Sequence, residues 1–162
     1  MQILPQVSPN RLSGFLETLA SPAYGGDAAL LDIARPLGLE INDLFPIAEA
    51  LHMLEFAELK DGTIKLTAAG RVFAQSSTDE RKRLFREHLI CFVPLAAHIR
   101  HVLDEREKHR APRARFEFEL QDHLNQGDAE KTLRTAIEWG RYAELFSYDD
   151  EERIFALDHC EE

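Results

Sequence analysis

Ala136-Ile137-Glu138-Trp139-Gly140-Arg141-Tyr142-Ala143-Glu144-Leu145 repeats, in the second half of the chain, the phrase Ala50-Leu51-His52-Met53-Leu54-Glu55-Phe56-Ala57-Glu58-Leu59 of the first. Ala50-Leu51 answers to Ala136-Ile137, and Phe56-Ala57-Glu58-Leu59 to Tyr142-Ala143-Glu144-Leu145. Each copy ends a run with helical spacing of apolar residues. Each is followed by a polar turn and a second apolar segment. In the first copy these are Lys60-Asp61-Gly62-Thr63 and Ile64-Lys65-Leu66; in the second, Ser147 to Arg153 and Ile154-Phe155-Ala156-Leu157. Asp-Gly between short apolar alternations is a strong hairpin signal, because a two-residue turn needs positive φ at both positions. The order in both halves is therefore helix, strand, turn, strand.

Working outward, Ser8 is placed to cap a helix in which Leu12, Phe15, Leu16 and Leu19 share a face, ending before Ser21-Pro22. A second helix starts at Gly25-Gly26-Asp27 and stops at Pro36 and Gly38. A third runs from about Asn42 to Glu55, burying Leu44, Ile47, Ala48, Leu51 and Leu54. Thr67 caps a further helix through Phe73, in which Gly70 permits close packing. The second half opens with a long helical pattern from Thr78 or Asp79 to Arg110, where Pro94 predicts a kink or break near Ile90 to Val93. Arg110-Ala111-Pro112-Arg113 reads as a linker, and a helix from about Arg115 to Leu124 follows. Asn125 to Asp128 forms a turn and cap, and the next helix ends near Trp139 with Gly140 in a left-handed exit. The expected fold is mainly α with small β-hairpin wings. It consists of tandem winged-helix units, residues 1–77 and 78–162, joined by a long kinked helix into one body. A winged helix docks rather than catalyses, so the question becomes what it docks onto.

Charge is distributed unevenly. Residues 1–80 hold 5 basic and 11 acidic side chains, residues 81–115 hold 10 and 4, and residues 116–162 hold 4 and 14. Acidic ends repel phosphate, and nucleic-acid affinity rests on Lys and Arg neutralising it. The basic middle is the only candidate footprint. No apolar run approaches the roughly 20 residues of a membrane span, and no basic-then-apolar leader opens the chain. The expectation is a cytoplasmic protein with no direct membrane insertion. Two cysteines, Cys91 and Cys160, make no disulfide framework and suit a reducing compartment.

Three stretches together resemble a known family. They are Leu66-Thr67-Ala68-Ala69-Gly70-Arg71-Val72-Phe73-Ala74, Glu80-Arg81-Lys82-Arg83-Leu84-Phe85-Arg86 and, most specific, the segment from Ala136 through Trp139-Gly140-Arg141-Tyr142 to Asp149. The family is the C-terminal AAA-associated domain, and the resemblance runs from about Val7 to Leu157. It implies an accessory, regulatory domain that follows the nucleotide-binding domain in ATP-binding subunits of nitrate, sulfonate, taurine and bicarbonate ABC importers. It also implies ABC ATPase and permease subunits as partners, and a place peripheral to the inner membrane through the transporter. The family's pattern brings no catalytic residues. No G-x-x-x-x-G-K-[ST] run occurs, and Gly25-Gly26 lacks the lysine that would reach phosphates. The chain is expected to be either a free-standing accessory domain or a piece of a longer subunit, and not itself an enzyme.

Other chemistry finds little support in the residues. His88 and Cys91, and His98 and His101, are spaced to share helix faces where soft ligands could meet zinc, but Pro94 separates the pairs. A buried Cys91 among Phe92, Val93 and Leu95 is the simpler reading, with His159-Cys160 as a frayed tail. Asp149, Asp150, Glu151 and Glu152 lack the alternating spacing and the glycine of a calcium loop and read as a solvated turn. No cofactor, metal or catalytic set is expected. For DNA, the reading helix of the first unit holds Asp43, Glu49 and Glu55 with no Lys or Arg. In the second, Lys131, Arg134 and Arg141 are offset by Asp128, Glu130 and Glu138. A winged-helix transcriptional regulator is thus the alternative, with nucleic acid the less favoured partner. Candidate contact residues are Arg81, Lys82, Arg83 and Arg86 on the basic segment, and Trp139, Arg141, Tyr142 and Tyr148 around the second wing. For Trp139 and Phe146, core packing is the first reading. The basic segment between two acidic regions also invites a homodimer, acidic wing against basic helix.

Overall fold

A computed structural model describes residues 3–157. His159 and Cys160 lie outside them. The described chain is mainly helical with two small antiparallel sheets of three strands each. It divides into two compact units, one spanning Val7–Leu84 and the other the segment up to Gln6 with everything described from Phe85 on.

The first unit begins with α1 (Pro9–Ala20), where Ser8 Oγ accepts the Arg11 N–H and Pro9 opens the first turn. β1 (Asp27–Ala29), α2 (Leu30–Ala34) and α3 (Ile41–Met53) follow, then β2 (Ala57–Lys60), β3 (Thr63–Leu66) and α4 (Ala68–Gln75). β3 lies between β1 and β2. Asp61 and Gly62, both at positive φ, close the β2–β3 hairpin in the two-residue turn that Asp-Gly predicts. Leu12, Leu19, Ile33, Leu44, Leu51, Phe56, Ile64 and Phe73 form the core, with the Phe56 and Phe73 rings 5.1 Å apart. Gly70 faces the Phe56 carbonyl so closely that a Cβ there would strike the backbone.

The second unit takes the later turns of α5 (Thr78–Phe92), then α6 (Pro94–Glu105), β4 (Arg110–Pro112), α7 (Arg113–Leu120), α8 (Gln126–Tyr142), β5 (Ser147–Asp149) and β6 (Ile154–Ala156). Here β6 is the middle strand. Asn125 caps α8, its Oδ1 accepting the Asp128 N–H at 2.8 Å and its amide donating back to the Asp128 carboxylate.

The order helix, strand, helix, helix, strand, strand thus occurs in each unit, and several backbone hydrogen bonds correspond. Leu66 N–H donates to Gly26 O as Leu157 does to His109 O; Leu30 donates to Gly62 O as Arg113 does to Arg153 O. At the end of α3, Glu55 and Phe56 donate to His52 O and Leu51 O; at the end of α8, Glu144 and Leu145 donate to Arg141 O and Gly140 O. These are two Schellman caps, each with glutamate at the left-handed position that glycine usually takes.

Several expectations are corrected. The phrases that match as sequence, Phe56-Ala57-Glu58 with Tyr142-Ala143-Glu144, are three residues out of structural register: Glu55, not Glu58, is the counterpart of Glu144. Gly140 lies inside α8, where its missing Cβ makes room for the Phe146 ring, and Glu144 supplies the left-handed exit. Of the kink or break that Pro94 predicts near Ile90 to Val93, the structure has the break, so the long kinked helix is instead two helices. Val93 is extended between them at φ −119° and ψ 93°, and Pro94 stands at the first position of α6, where a missing donor costs nothing. Residues 110–112 pair with β6 rather than linking, and Asp27–Ala29 pair with β3 rather than starting a helix.

Candidate interaction surface

Arg81 is fastened within its own unit. Its Nε and Nη2 donate to the Phe73 and Ala74 carbonyls at 2.9 and 2.7 Å, its Nη1 meets Glu17 at 2.7 Å, and the guanidinium lies over the Phe73 ring. Both carbonyls lie in the last turn of α4, where a cation is favoured, and Phe73 O also accepts the Ser76 N–H. Arg83 makes a forked pair with Glu80 one turn back, and that guanidinium holds the Glu80 carboxyl below its ordinary range. Lys82 is half-buried. Arg86, also half-buried, makes no hydrogen bond or ion pair among the described residues, and it lines a groove with Ile90, Ala97, Arg100, His101 and Asp104. The basic segment is therefore not one uniform face.

The aromatic candidates divide in the same way. Trp139 is fully buried, its ring edge-on to Phe85 at 6.1 Å, so it offers nothing to a partner. Phe146 is buried beside Gly140 and edge-on to Phe155. Tyr148 is buried against Phe155, 4.8 Å between rings. Tyr142 is half-buried against Phe85. Arg141 alone stays exposed: it donates to the Tyr148 carbonyl, pairs with Asp150 at 3.0 Å and lies over the Tyr148 ring.

The helices that would read DNA are unlike each other. α3 exposes Ile41, Phe45, Glu49 and His52 on its outer face. On α8 even Thr132 and Thr135 are buried, the Leu4 N–H reaching Thr132 Oγ1, and the exposed stripe narrows to Lys131, Arg134, Glu138 and Arg141. Arg134 donates to Glu130 at 2.6 Å, and with Asp150 on Arg141 two of the three cations are engaged.

Cys91 is exposed, as is Phe92, which corrects the expected buried position; the break at Val93 turns α5's last residues outward while Val93 itself is buried. His98 meets Glu119 at 3.0 Å and His101 meets Glu105 at 3.3 Å. Among the described residues no three of His, Cys, Asp and Glu gather as metal ligands would. The acidic turn has a structural use: Asp149 Oδ1 accepts the Glu151 and Glu152 N–H groups.

One cluster went unseen in the sequence. Arg113, read there as part of a linker, is a buried cation whose Nη1 reaches the Tyr148 hydroxyl at 3.5 Å, with Glu117 at 3.3 Å and Glu130 at 3.8 Å. Burial works against its charge, but the Tyr148 hydroxyl and Glu117 outweigh it and raise the pKa. The residues that stand at these places in the first unit, by the matched backbone, are Leu30, Ala34, Ile41 and Leu59. Where the second unit has this ionic cluster, the first has four apolar side chains, of which Ile41 is exposed.

No helix of the described residues is long and apolar enough to cross a membrane. Neither the curated proteins nor the solved structures contain a match to the chain. The model of one family, described as C-terminal AAA-associated domain, matches residues 31–149, from α2 of the first unit to the end of β5 in the second. With both units taken up in a single match over most of its length, the chain belongs to the C-terminal AAA-associated domain family.

Proposed function

We propose that this chain is a non-catalytic accessory domain that regulates the ATP-binding subunit of an ABC importer of the nitrate, sulfonate or bicarbonate type through protein contacts. Family membership supports the accessory role. The repeated order helix, strand, helix, helix, strand, strand supports reading each unit as a winged helix, a docking scaffold. The observation that carries the reading is the contrast between the two third helices. One is buried on most of its circumference and the other shows Ile41 and Phe45 among carboxylates; neither suits a phosphate-lined groove, and the second suits a protein surface. The physical logic is coupling: a domain that binds one state of an ATPase dimer better than another biases turnover by that difference and no more. Such a domain works at the cytoplasmic face, held near the inner membrane by its partners.

The test is isolation of the tagged chain from its source cell at moderate salt, with mass identification of what accompanies it. Recovery of an ABC ATPase or permease, lost on Phe45→Asp, supports the reading. Recovery of promoter DNA or RNA polymerase overturns it in favour of a transcriptional regulator, with Lys131, Arg134 and Arg141 as the residues to change.

A further inference from the structure

Between α5 and α6, wholly within the second unit, lies a groove of about 570 Å³, within the range of small-ligand sites. Arg86 and Ile90, one turn apart on α5, form one wall. Ala97, Arg100, His101 and Asp104, at helical spacing on α6, form the other. The extended Val93 sets the two helices off from each other.

Two guanidinium groups face this groove in different states. Arg100 is held in place: its Nε donates to Asp104 at 3.2 Å and its Nη1 to the Leu145 carbonyl at 2.8 Å. Its Nη2 has no partner among the described residues. Arg86 has none at all there, though its neighbours on α5, Arg81 and Arg83, are both paired. A planar fork with free N–H groups matches the two oxygens of a carboxylate or phosphate, and one fixed arginine beside one free arginine gives such a group a definite seat. Asp104 offsets part of the Arg100 charge through Nε and leaves Arg86 as the unanswered cation of the groove among the described residues, while His101 leans on Glu105. Ile90, 47% exposed, adds an apolar wall beside the charge.

We propose that the α5–α6 groove binds a small organic anion, its oxyanion group between Arg86 and Arg100 and a short alkyl portion on Ile90 and Ala97. The assignment is independent of which protein the domain docks onto.

The test is an amide-resolved NMR titration of the full chain at low salt with acetate, hexanoate and inorganic phosphate. Acetate and phosphate carry the anion alone and differ in its chemistry; hexanoate adds the tail. Saturable shifts confined to the α5–α6 groove are expected, with hexanoate on the order of tenfold tighter than acetate, since half-burying four methylenes contributes about that factor. Arg86→Gln is expected to weaken every probe by about tenfold or more, as loss of a charged hydrogen-bonding group does. Arg83→Gln, one turn earlier and paired with Glu80, is expected to leave binding unchanged. Unsaturable shifts, equal affinity for acetate and hexanoate, or equal loss in Arg83→Gln and Arg86→Gln would each overturn the proposal, the last by showing only diffuse attraction to a basic helix.

Discussion

Glu55 and Glu144 are the same residue in the same place twice over, each the left-handed end of its unit's third helix, at φ 63° and 58°. An L-residue with a Cβ pays about 1–2 kcal/mol for that conformation, and glycine pays almost none of it. Glu55→Gly and Glu144→Gly are therefore expected to be neutral or to stabilise by up to about 1 kcal/mol. Glu144→Val is expected to destabilise by about 1–2 kcal/mol, since a branched Cβ fits this region worst. Urea unfolding of the three variants decides it; a destabilised glycine variant would show that the glutamate side chains hold contacts that outweigh the backbone strain.

Gly70 and Gly140 predict different outcomes for the same substitution. A Cβ at Gly70 meets the Phe56 carbonyl, which is backbone, whereas one at Gly140 meets the ring of Phe146. Each alanine variant is expected to cost about 1–3 kcal/mol through overpacking. Phe146→Leu should restore part of the loss in Gly140→Ala, seen as a double-mutant coupling by thermal or urea unfolding. No side-chain change is expected to rescue Gly70→Ala.

Arg81 ties α5 to the C-terminal carbonyls of α4. Arg81→Ala is expected to cost about 1–3 kcal/mol, and Arg81→Lys to recover little, because one ammonium cannot span two carbonyls and Glu17 as the fork does. Glu17→Ala should cost under about 1 kcal/mol, its carboxylate being more than half exposed. Equal losses at both ends would instead assign the effect to the ion pair.

The hydrogen bond from Arg134 holds the Glu130 carboxyl below its ordinary 4.5, burial opposing it and the charges of Arg134, Arg113 and Arg153 adding to it. A carboxyl lowered on folding contributes stability above its unfolded pKa and loses it as pH falls through the folded one. Arg134→Gln is therefore expected to lower the urea midpoint near neutral pH and to match the parent well below pH 4.5. A constant difference at all pH values would refute the pairing as the cause.

Much of this architecture is legible in the residues, and what is not has physical reasons. The Ser8 and Thr67 caps and the Asp61-Gly62 turn are local chemistry, and they appear where the residues put them, whereas α8 starts at Gln126, three residues before the Ala129 start that its sequence suggests, with Asn125 as its cap. β1 and β4 escape notice because each is three residues with only one inward side chain, Ala28 or Ala111, and no alternation to detect. The repeat reads three residues out of register in the sequence because Ala57-Glu58-Leu59 and Ala143-Glu144-Leu145 are identical, whereas the hydrogen bonds set Ala143-Glu144-Leu145 against Leu54-Glu55-Phe56, which share only the glutamate. Of the contact candidates, Trp139 takes the core place that its spacing first suggests, whereas Arg81 is drawn onto the end of α4 by hydrogen bonds that no spacing reveals. Arg86 has no partner among the described residues although its neighbours look the same in sequence.

The difference between Leu30, Ala34, Ile41 and Leu59 in one unit and Arg113, Glu117, Glu130 and Tyr148 in the other bears on how far the two halves could stand in for each other. Matched backbones make the halves look interchangeable, yet their side chains have become private vocabularies. A chimera carrying α7 into the first half would import a cation with Glu117 but without the phenol and the second carboxylate that complete its setting, leaving charge buried and poorly answered. Moving α2 the other way would leave the Glu130 carboxylate and the Tyr148 hydroxyl around leucine. The doubling therefore survives as shape alone: each half is locked to its own partners, and further change must come in groups of four rather than one residue at a time.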